Sequence, residues 1–225
     1  MLRPSDTAGL SKKCLSTNTS NPFSNKRKIM SALTEYLNNL AAVFKQVKVT
    51  DADGRDLNID AAGARASEWI LTCRTEGAKV LLIGNGGSAA IVSHLQNDLC
   101  DSVGVRAMVF NEPPFLTAVA NDHGYETFFE QAVKLWAADG DLLVAVSSSG
   151  KSKNILRAVR EMRTKQTRVV TLSGFEPDNP LRSLGDINFY VPSKAYGVVE
   201  TAHGVLGHYL SDAAMARKNE TAVRS

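Results

Sequence analysis

The sequence contains no long apolar run, and none of its apolar stretches approaches the ~20 residues that a membrane-spanning helix needs. Cysteine is scarce: Cys14, Cys73 and Cys100 are odd in number and share no close spacing. This pattern argues against a disulfide framework and a thiol metal site, and it favours a reducing compartment, so we expect a cytoplasmic protein. No internal repeat or helix-turn-helix segment is evident. We therefore expect neither a membrane partner nor a DNA-binding regulator.

The positive charge is concentrated at the start of the chain. The formal net charge is +3, and residues 1–28 carry six basic groups against Asp6 alone. Removing these from the totals of 26 and 23 leaves 20 basic and 22 acidic groups in residues 29–225. The body is thus slightly acidic, and its charge predicts no nucleic-acid partner. Residues 1–28 lack the apolar core of a secretory signal. Their scarcity of acidic groups also fits a transit peptide, but they contain only two arginines, and their polar composition favours a disordered basic tail.

Apolar periodicity predicts one domain of alternating strands and helices. A helix from Ile29 to about Val47 precedes the first predicted strand, so it cannot be a crossover, and we expect it on the outside or against another subunit. A second helix covers Ala61 to Cys73. Strands are predicted at 79–84, 105–110, 141–147, 167–173 and 187–191, and helices at 88–101, 114–120, 124–137, 153–165 and 198–216.

This alternation predicts an α/β fold with a five-stranded parallel sheet that is flanked by helices on both faces. Its crossovers should be right-handed, and ligands should gather at the carboxyl ends of the strands. We place the domain, with its N-terminal helical extension, at residues 29–216 and expect a C-terminal tail at 217–225.

A glycine turn lies between an apolar strand and a helix within KVLLIGNGGSAAIVSHLQND, residues 79–98. Glycine lets the backbone approach a ligand. The first amides of the helix, which opens at Ser88, have no partner within the helix. The stretch therefore predicts an anion site, typically for phosphate.

A second polar loop, which we call the serine loop, is Val146-Ser-Ser-Ser-Gly-Lys-Ser152. It also follows a strand and precedes a helix. Its serine hydroxyls and the first helical amides are donors for an anion. Its Gly-Lys-Ser ending resembles a nucleotide P-loop, but that motif requires glycine where Ala145 stands. Alone, the loop would be explained equally well as a cap of the following helix. Two such loops at one edge of one sheet favour a phosphate site.

The first loop also fits the dinucleotide fingerprint G-x-G-x-x-A, through Gly84, Gly86 and Ala89, with Glu112 as the ribose-binding acid. This alternative gives no role to the serine loop or to the downstream histidines. A thermal-shift experiment with NAD(P) separates it from a phosphate site.

Three of the four histidines lie beside carboxylates in two predicted helices. His94 and Asp98 are four residues apart and share one helix face, and the last helix carries Glu200, His203 and His208. Histidine and carboxylate groups that converge from two helices suit Zn²⁺ or an acid/base pair. Glu200 and His208 are ~12 Å apart along an ideal helix, so both reach one ion only through long side chains or a bend.

The segment Asn121-Asp-His-Gly-Tyr125 precedes another predicted helix. Its glycine makes a plain turn an adequate explanation. Its position after a strand unit also allows Asp122 to face a ligand, so Asp122 is a candidate for substrate binding.

Together these motifs resemble the sugar isomerase (SIS) domain and, more narrowly, its phosphoheptose isomerase branch. The resemblance spans roughly residues 30–215. It is carried by GNGGS at 84–88, ND-x-GY at 121–125, VSSSG-x-S-x-N at 146–154 and E-x-x-H-x-x-x-x-H at 200–208.

The resemblance implies a flavodoxin-like, doubly wound sheet with N-terminal helices that join subunits into a homotetramer. It implies an aldose–ketose isomerase that acts on a sugar phosphate, such as sedoheptulose 7-phosphate, through an enediol, with Asp98 as base and His208 as acid. Some relatives bind Zn²⁺ at positions that match His94, Asp98, Glu200 and His208. The phosphate-binding candidates are Asn85, Ser88, Ser147, Ser148, Ser149 and Ser152, and the further substrate-binding candidates are Asp122 and Glu200.

Four positions depart from the pattern of that branch. Asp98 stands where it has glutamate, Ser102 where it has arginine and Glu200 where it has glutamine; its aspartate before the last helix has no counterpart around Gly197. Catalytic geometry is sensitive to such shifts. Two hypotheses therefore remain open: an isomerase, and a non-catalytic SIS protein that binds a phosphosugar or scaffolds a partner, like the relatives that associate with the replication initiator protein.

Overall fold

The computed structural model describes residues 32–224. The predicted tail at 1–28 and the first residues of the predicted first helix lie outside this range. The strands are β1 (Lys48–Thr50), β2 (Lys79–Gly84), β3 (Arg106–Val109), β4 (Leu142–Ser147), β5 (Arg168–Gly174) and β6 (Ile187–Val191). The α-helices are α1 (Leu33–Phe44), α2 (Ile59–Thr75), α3 (Gly87–Asp98), α4 (Pro113–His123), α5 (Phe128–Trp136), α6 (Lys153–Met162) and α7 (Tyr196–Arg224).

The six strands form one sheet in the order β1-β6-β5-β4-β2-β3. The five strands from β2 to β6 are parallel, which confirms the predicted doubly wound α/β fold. The central strands β2, β4 and β5 are rich in branched apolar residues, as is typical of strands covered on both faces. Successive side chains of a strand point to opposite faces. In β2, accordingly, Val80 and Leu82 pack in the core under α2, α3 and α7, whereas Leu81 and Ile83 pack under α4, α5 and α6.

The sheet has one strand more than predicted. β1 pairs antiparallel with β6, with Val49 opposite Phe189. Three residues are too few to show an alternating pattern of apolar and polar side chains. The predicted first helix also extends to Val47, immediately before β1, so the sequence does not predict this strand. Val49 is buried by tertiary contacts, because it becomes covered only when β6, which lies far along the chain, pairs with β1.

The predicted end of the last helix at residue 216 is wrong, since α7 continues to Arg224, through most of the segment predicted as a C-terminal tail. Leu210 and Ala214 on this helix are buried in the core beneath α2 and α3. Further along, the Lys218 Nζ donates a hydrogen bond to the carbonyl oxygen of Ser102 at 2.6 Å. A cation at the C-terminal end of a helical segment is favourable, so this contact fixes the extended helix against the segment that follows α3.

Two helix ends also differ from the prediction. α3 ends at Asp98 and continues as one π-helical turn, Leu99–Val103, which Gly104 terminates. The segment predicted as a single helix at 124–137 is divided into a short 3₁₀ turn and α5. Within residues 32–224, no helix combines the length and the hydropathy needed to cross a bilayer.

Gly150 in the serine loop provides a test of the loop's backbone geometry. Its φ is +63°, and a Cβ at this position would overlap the Asn179 side chain. We expect Gly150→Ala to reduce the free energy of unfolding by about 1 kcal/mol or more, because alanine is strained at positive φ. Urea unfolding monitored by circular dichroism measures this.

The matched control is Gly204→Ala in α7, where a Cβ would have no neighbour within 4 Å. Alanine is a better helix former than glycine by ~1 kcal/mol, so the control should be neutral or stabilising. Equal stability of the two variants would contradict the proposed strain at Gly150.

Candidate active site

The sheet order places the two predicted anion loops side by side. From β2 the chain first moves outward to β3 and then returns past β2 to β4, so the winding reverses between β2 and β4. Ligands of doubly wound sheets bind outside the carboxyl ends of the strands at this reversal. The glycine turn at residues 84–88, which we call the glycine loop, follows β2, and the serine loop follows β4. Both loops therefore border the crevice that the fold itself provides.

A polar cavity of about 140 Å³ lies between these loops, and we call it the serine pocket. Ser148 is buried there, and its Oγ has no hydrogen-bond partner among the described residues. Ser149 Oγ accepts from the amide of Lys151 at 3.2 Å, which shapes the loop. The lining residues include all six predicted phosphate-binding candidates: Asn85, Ser88, Ser147, Ser148, Ser149, Ser152, together with Tyr196 and Glu200.

Glu200 lies at the N-terminus of α3, inside the serine pocket. A Cβ on Gly87, the first residue of α3, would be 2.5 Å from Glu200 Oε1 and 2.6 Å from Oε2. Glycine at position 87 therefore leaves room for the carboxylate to pack against this turn, and a larger residue would displace the carboxylate. A negative charge is favourable at the N-terminus of a helix, which accounts for this position of the carboxylate.

Asn85 is held by side chains from two other parts of the chain. Its amide exchanges two hydrogen bonds with the buried amide of Asn154, both at 2.9 Å, and the Tyr125 hydroxyl donates to its Oδ1 at 2.8 Å. Asn154, Tyr125 and Tyr196 were not among the predicted site residues. Asn154 and Tyr125 do lie within two of the quoted motifs. An asparagine in the buried first turn of α6 is the signal that could have identified Asn154.

His94, Asp98 and His208 form a second group, the His–Asp–His cluster. Asp98 Oδ2 lies 3.6 Å from His94 Nε2 and 3.4 Å from His208 Nδ1. The two imidazole rings meet edge to face, with their centroids 5.0 Å apart. The cluster borders a groove of about 310 Å³ between α3 and α7. The structure thus brings together the predicted base and the predicted acid.

The serine pocket and the His–Asp–His cluster lie along the same pair of helices. Ser88 and Glu200, near the starts of α3 and α7, line the pocket, and Asp98 and His208, further along, contact each other. α3 and α7 therefore run side by side in the same direction. Ser88 and His94 are six residues apart, ~9 Å along α3. The two places are therefore neighbours along the same helix.

Two predicted site residues are not part of the cluster. Glu200 lies in the serine pocket and is not among the clustered ligand atoms, so the structure does not assemble the four-residue metal set. Asp122 is exposed at the end of α4, where its Oδ1 accepts from the Asn121 side chain at 2.8 Å. Asp122 is not among the residues that line the serine pocket or the groove.

The cluster fits the donor set of a zinc site. One ligand atom from each of His94, Asp98 and His208 lies within 4.8 Å of the others. Catalytic zinc sites typically have three protein ligands of these types and leave the fourth position for water or substrate. His94 and His208 keep more than half of their side-chain surface exposed, so an ion has access.

His203 is a core residue despite its position between Glu200 and His208. It is fully buried, and its Nε2 lies 3.2 Å from the carbonyl oxygen of Ser173. The carbonyl only accepts, so Nε2 carries the proton, and Nδ1 has no partner among the described residues. Burial lowers the pKa of His203 to about 4, against the opposing effect of the Ser173 hydrogen bond. His203 is therefore neutral at physiological pH.

Comparison with known proteins agrees with this architecture. A family model described as SIS domain matches residues 35–174. Phosphoheptose isomerase from Burkholderia pseudomallei strain K96243 is 35% identical over 182 residues, which cover 78% of this chain and 90% of the relative. Phosphoheptose isomerase from Mycobacterium tuberculosis strain H37Ra is 35% identical over 165 residues, or 68% of this chain and 81% of the relative.

A solved structure gives the same result at the level of the fold. The phosphoheptose isomerase from Neisseria gonorrhoeae superposes with a TM-score of 0.69 at 24% identity, covering 80% of this chain and 95% of the other. The chain belongs to the SIS domain family. Within it, the chain is similar to the phosphoheptose isomerases, which confirms the predicted branch.

The depressed pKa of His203 predicts an acid-sensitive fold. The unfolded chain binds a proton at this side chain below about pH 6.5, whereas the folded chain binds one only below about pH 4. The stability contributed by neutral His203 is therefore complete above pH 6.5 and is lost as the pH falls towards 4. We expect a loss of a few kcal/mol across this window.

Urea unfolding at a series of pH values measures this loss. His203→Gln should flatten the pH dependence between 6.5 and 4. His123→Gln, which removes an exposed histidine of α4, is the control and should retain the slope of the wild type. An unchanged slope in His203→Gln would contradict the assignment.

Proposed function

We propose that this protein is a phosphosugar aldose–ketose isomerase that acts on sedoheptulose 7-phosphate or a close analogue. One observation carries the proposal: the same pair of helices, α3 and α7, borders the serine pocket near its start and the His–Asp–His cluster further along. An open-chain sugar phosphate has its charged group and its carbonyl carbons at opposite ends, which matches this division. The named relatives, at 35% identity over most of the chain, support the same reaction.

In this proposal the serine pocket binds the phosphate and the cluster acts on the sugar carbons. The first amides of α3 and the hydroxyls of the serine loop are donors to the phosphate oxygens. Asp98 removes the proton next to the carbonyl and returns it to the neighbouring carbon, while His208 transfers the hydroxyl proton. Positioned proton transfer of this kind typically contributes ~10²–10⁴-fold to the rate. Glu200 then contacts the substrate from within the pocket.

We further propose that His94, Asp98 and His208 bind Zn²⁺, each through one atom. This leaves the second carboxylate oxygen of Asp98 and the second ring nitrogen of His208 for the proton transfers. Bound there, zinc would supply Lewis-acid polarisation of a carbonyl oxygen. The protein groups do the remaining work: the serine pocket fixes one end of the substrate, and the helix pair keeps the carboxylate and the imidazole in register.

Assembly into a homotetramer completes the proposal. Leu33 and Leu37 on α1 are 72% and 53% exposed, and Val205 and Tyr209 on α7 are 49% and 44% exposed. Large apolar side chains on the outer surfaces of helices suit contacts between subunits. The cytoplasmic location remains a prediction from the cysteine pattern.

The reaction is tested by incubating the protein with sedoheptulose 7-phosphate and following aldose formation. We expect turnover by the wild type and a loss of ~10²-fold or more in Asp98→Asn, which removes the base. Asp101→Asn changes an exposed aspartate one turn further on and should retain activity.

Two results would count against this assignment. Wild-type turnover in Asp98→Asn would exclude Asp98 as the base. Binding of the sugar phosphate in calorimetry, without turnover by the wild type, would instead favour the non-catalytic alternative.

The metal proposal makes a separate prediction about ligand identity. Calorimetric titration of the metal-free protein with Zn²⁺ should show one tight site, which Asp98→Asn and His208→Gln weaken strongly because each removes a ligand. Glu200→Gln should bind Zn²⁺ like the wild type, since Glu200 lies in the serine pocket. Equal weakening by Glu200→Gln would show that Glu200 is a fourth ligand.

A further inference from the structure

The amide orientation of Asn154 is fixed by the backbone. The amide of Ile155 donates to Asn154 Oδ1 at 3.0 Å. A backbone N–H is only a donor, so the atom facing it must be the oxygen of the side-chain amide and not the nitrogen. Asn154 is 2% exposed at the start of α6, and this contact leaves its side chain a single orientation.

The fixed amide of Asn154 in turn orients Asn85. Asn85 Nδ2 donates to Asn154 Oδ1 and Asn154 Nδ2 donates to Asn85 Oδ1, both at 2.9 Å. Rotating the Asn85 amide by half a turn would place oxygen against oxygen and nitrogen against nitrogen, and both hydrogen bonds would be lost. The orientation of Asn85 therefore depends on a residue that does not line the serine pocket.

Tyr125 occupies the remaining capacity of the Asn85 oxygen. Its hydroxyl donates to Asn85 Oδ1 at 2.8 Å, so both lone pairs of that oxygen are used. One of the two N–H groups of Asn85 is used by Asn154. The group that remains for a ligand in the serine pocket is an N–H, which is a donor and suits an anion.

We propose that Asn154 and Tyr125 are positioning residues, which hold Asn85 so that it presents an N–H donor and not its carbonyl oxygen to the phosphate. This rests on the proposed function of the serine pocket. It gives a role to the turn at residues 121–125 through its tyrosine, in place of the aspartate that the sequence suggested. It also connects three segments: the glycine loop, the turn before α5 and the first turn of α6.

The two positioning residues should differ in strength. A hydroxyl both donates and accepts, so Tyr125 would satisfy either orientation of the Asn85 amide. Asn154 can pair with only one orientation of the Asn85 amide, because the backbone amide of Ile155 fixes the orientation of the Asn154 side chain. Loss of Asn154 should therefore weaken phosphate binding more than loss of the Tyr125 hydroxyl.

Calorimetry with inorganic phosphate tests the proposal on the full chain. We expect Tyr125→Phe to raise Kd by roughly two- to tenfold, the effect of one hydrogen bond, and Asn154→Leu to raise it further. With sedoheptulose 7-phosphate, KM should rise while kcat changes little, because the phosphate is bound alike in the ground state and the transition state. Tyr190→Phe, which removes a hydroxyl that donates to the carbonyl oxygen of Phe175 outside the pocket, should bind phosphate like the wild type.

Repeating both substitutions in an Asn85→Ala background separates positioning from general structural support. If Asn154 and Tyr125 act through Asn85, neither substitution should raise Kd further in this background. The same fold-change with and without Asn85, or wild-type binding in both single variants, would overturn the proposal. If Asn154→Leu does not fold, Tyr125→Phe decides alone. Failure of the proposed function would be seen in the wild type, as binding of neither inorganic phosphate nor sugar phosphate.

Discussion

The close parallel packing of α3 against α7 is the contact on which the candidate site depends. At one end the carboxylate of Glu200 lies against Gly87, and further along His208 approaches Asp98 at 3.4 Å. A side chain at position 87 would displace the Glu200 carboxylate from this turn. Both helices begin at the carboxyl edge of the sheet, so the serine pocket and the His–Asp–His cluster share one pair of helices. The packing of α3 against α7 therefore sets the geometry of both places.

The sequence was sufficient to predict the parallel part of the sheet. Strands β2 and β4 are continuous apolar runs bounded by turn residues, and such runs indicate buried strands whatever their neighbours are. β1 could not be predicted, because only its partner β6 makes its three residues a strand. The end of α7 was missed for a similar reason, since Lys218 reaches the carbonyl of Ser102 only in the folded protein.

The candidate site was predictable where it depends on the loops at the ends of strands, and less so where it depends on how helices align. Ser88 and Ser147 lie in the same pocket because the carboxyl ends of parallel strands meet at one edge. The position of Glu200 depends on the register between α3 and α7, which no local pattern encodes. The rise of an ideal helix did indicate that Glu200 and His208 were too far apart to share one ion easily.

The sheet also bears on the proposed tetramer. Its outer strands, β1 and β3, have only three and four residues. Short outer strands offer few free backbone amides and carbonyls to a strand of another molecule, which limits edge-to-edge pairing of sheets. The proposed subunit contacts therefore fall to side chains on helices, where a closed assembly of defined size is easier to specify than an open-ended ribbon.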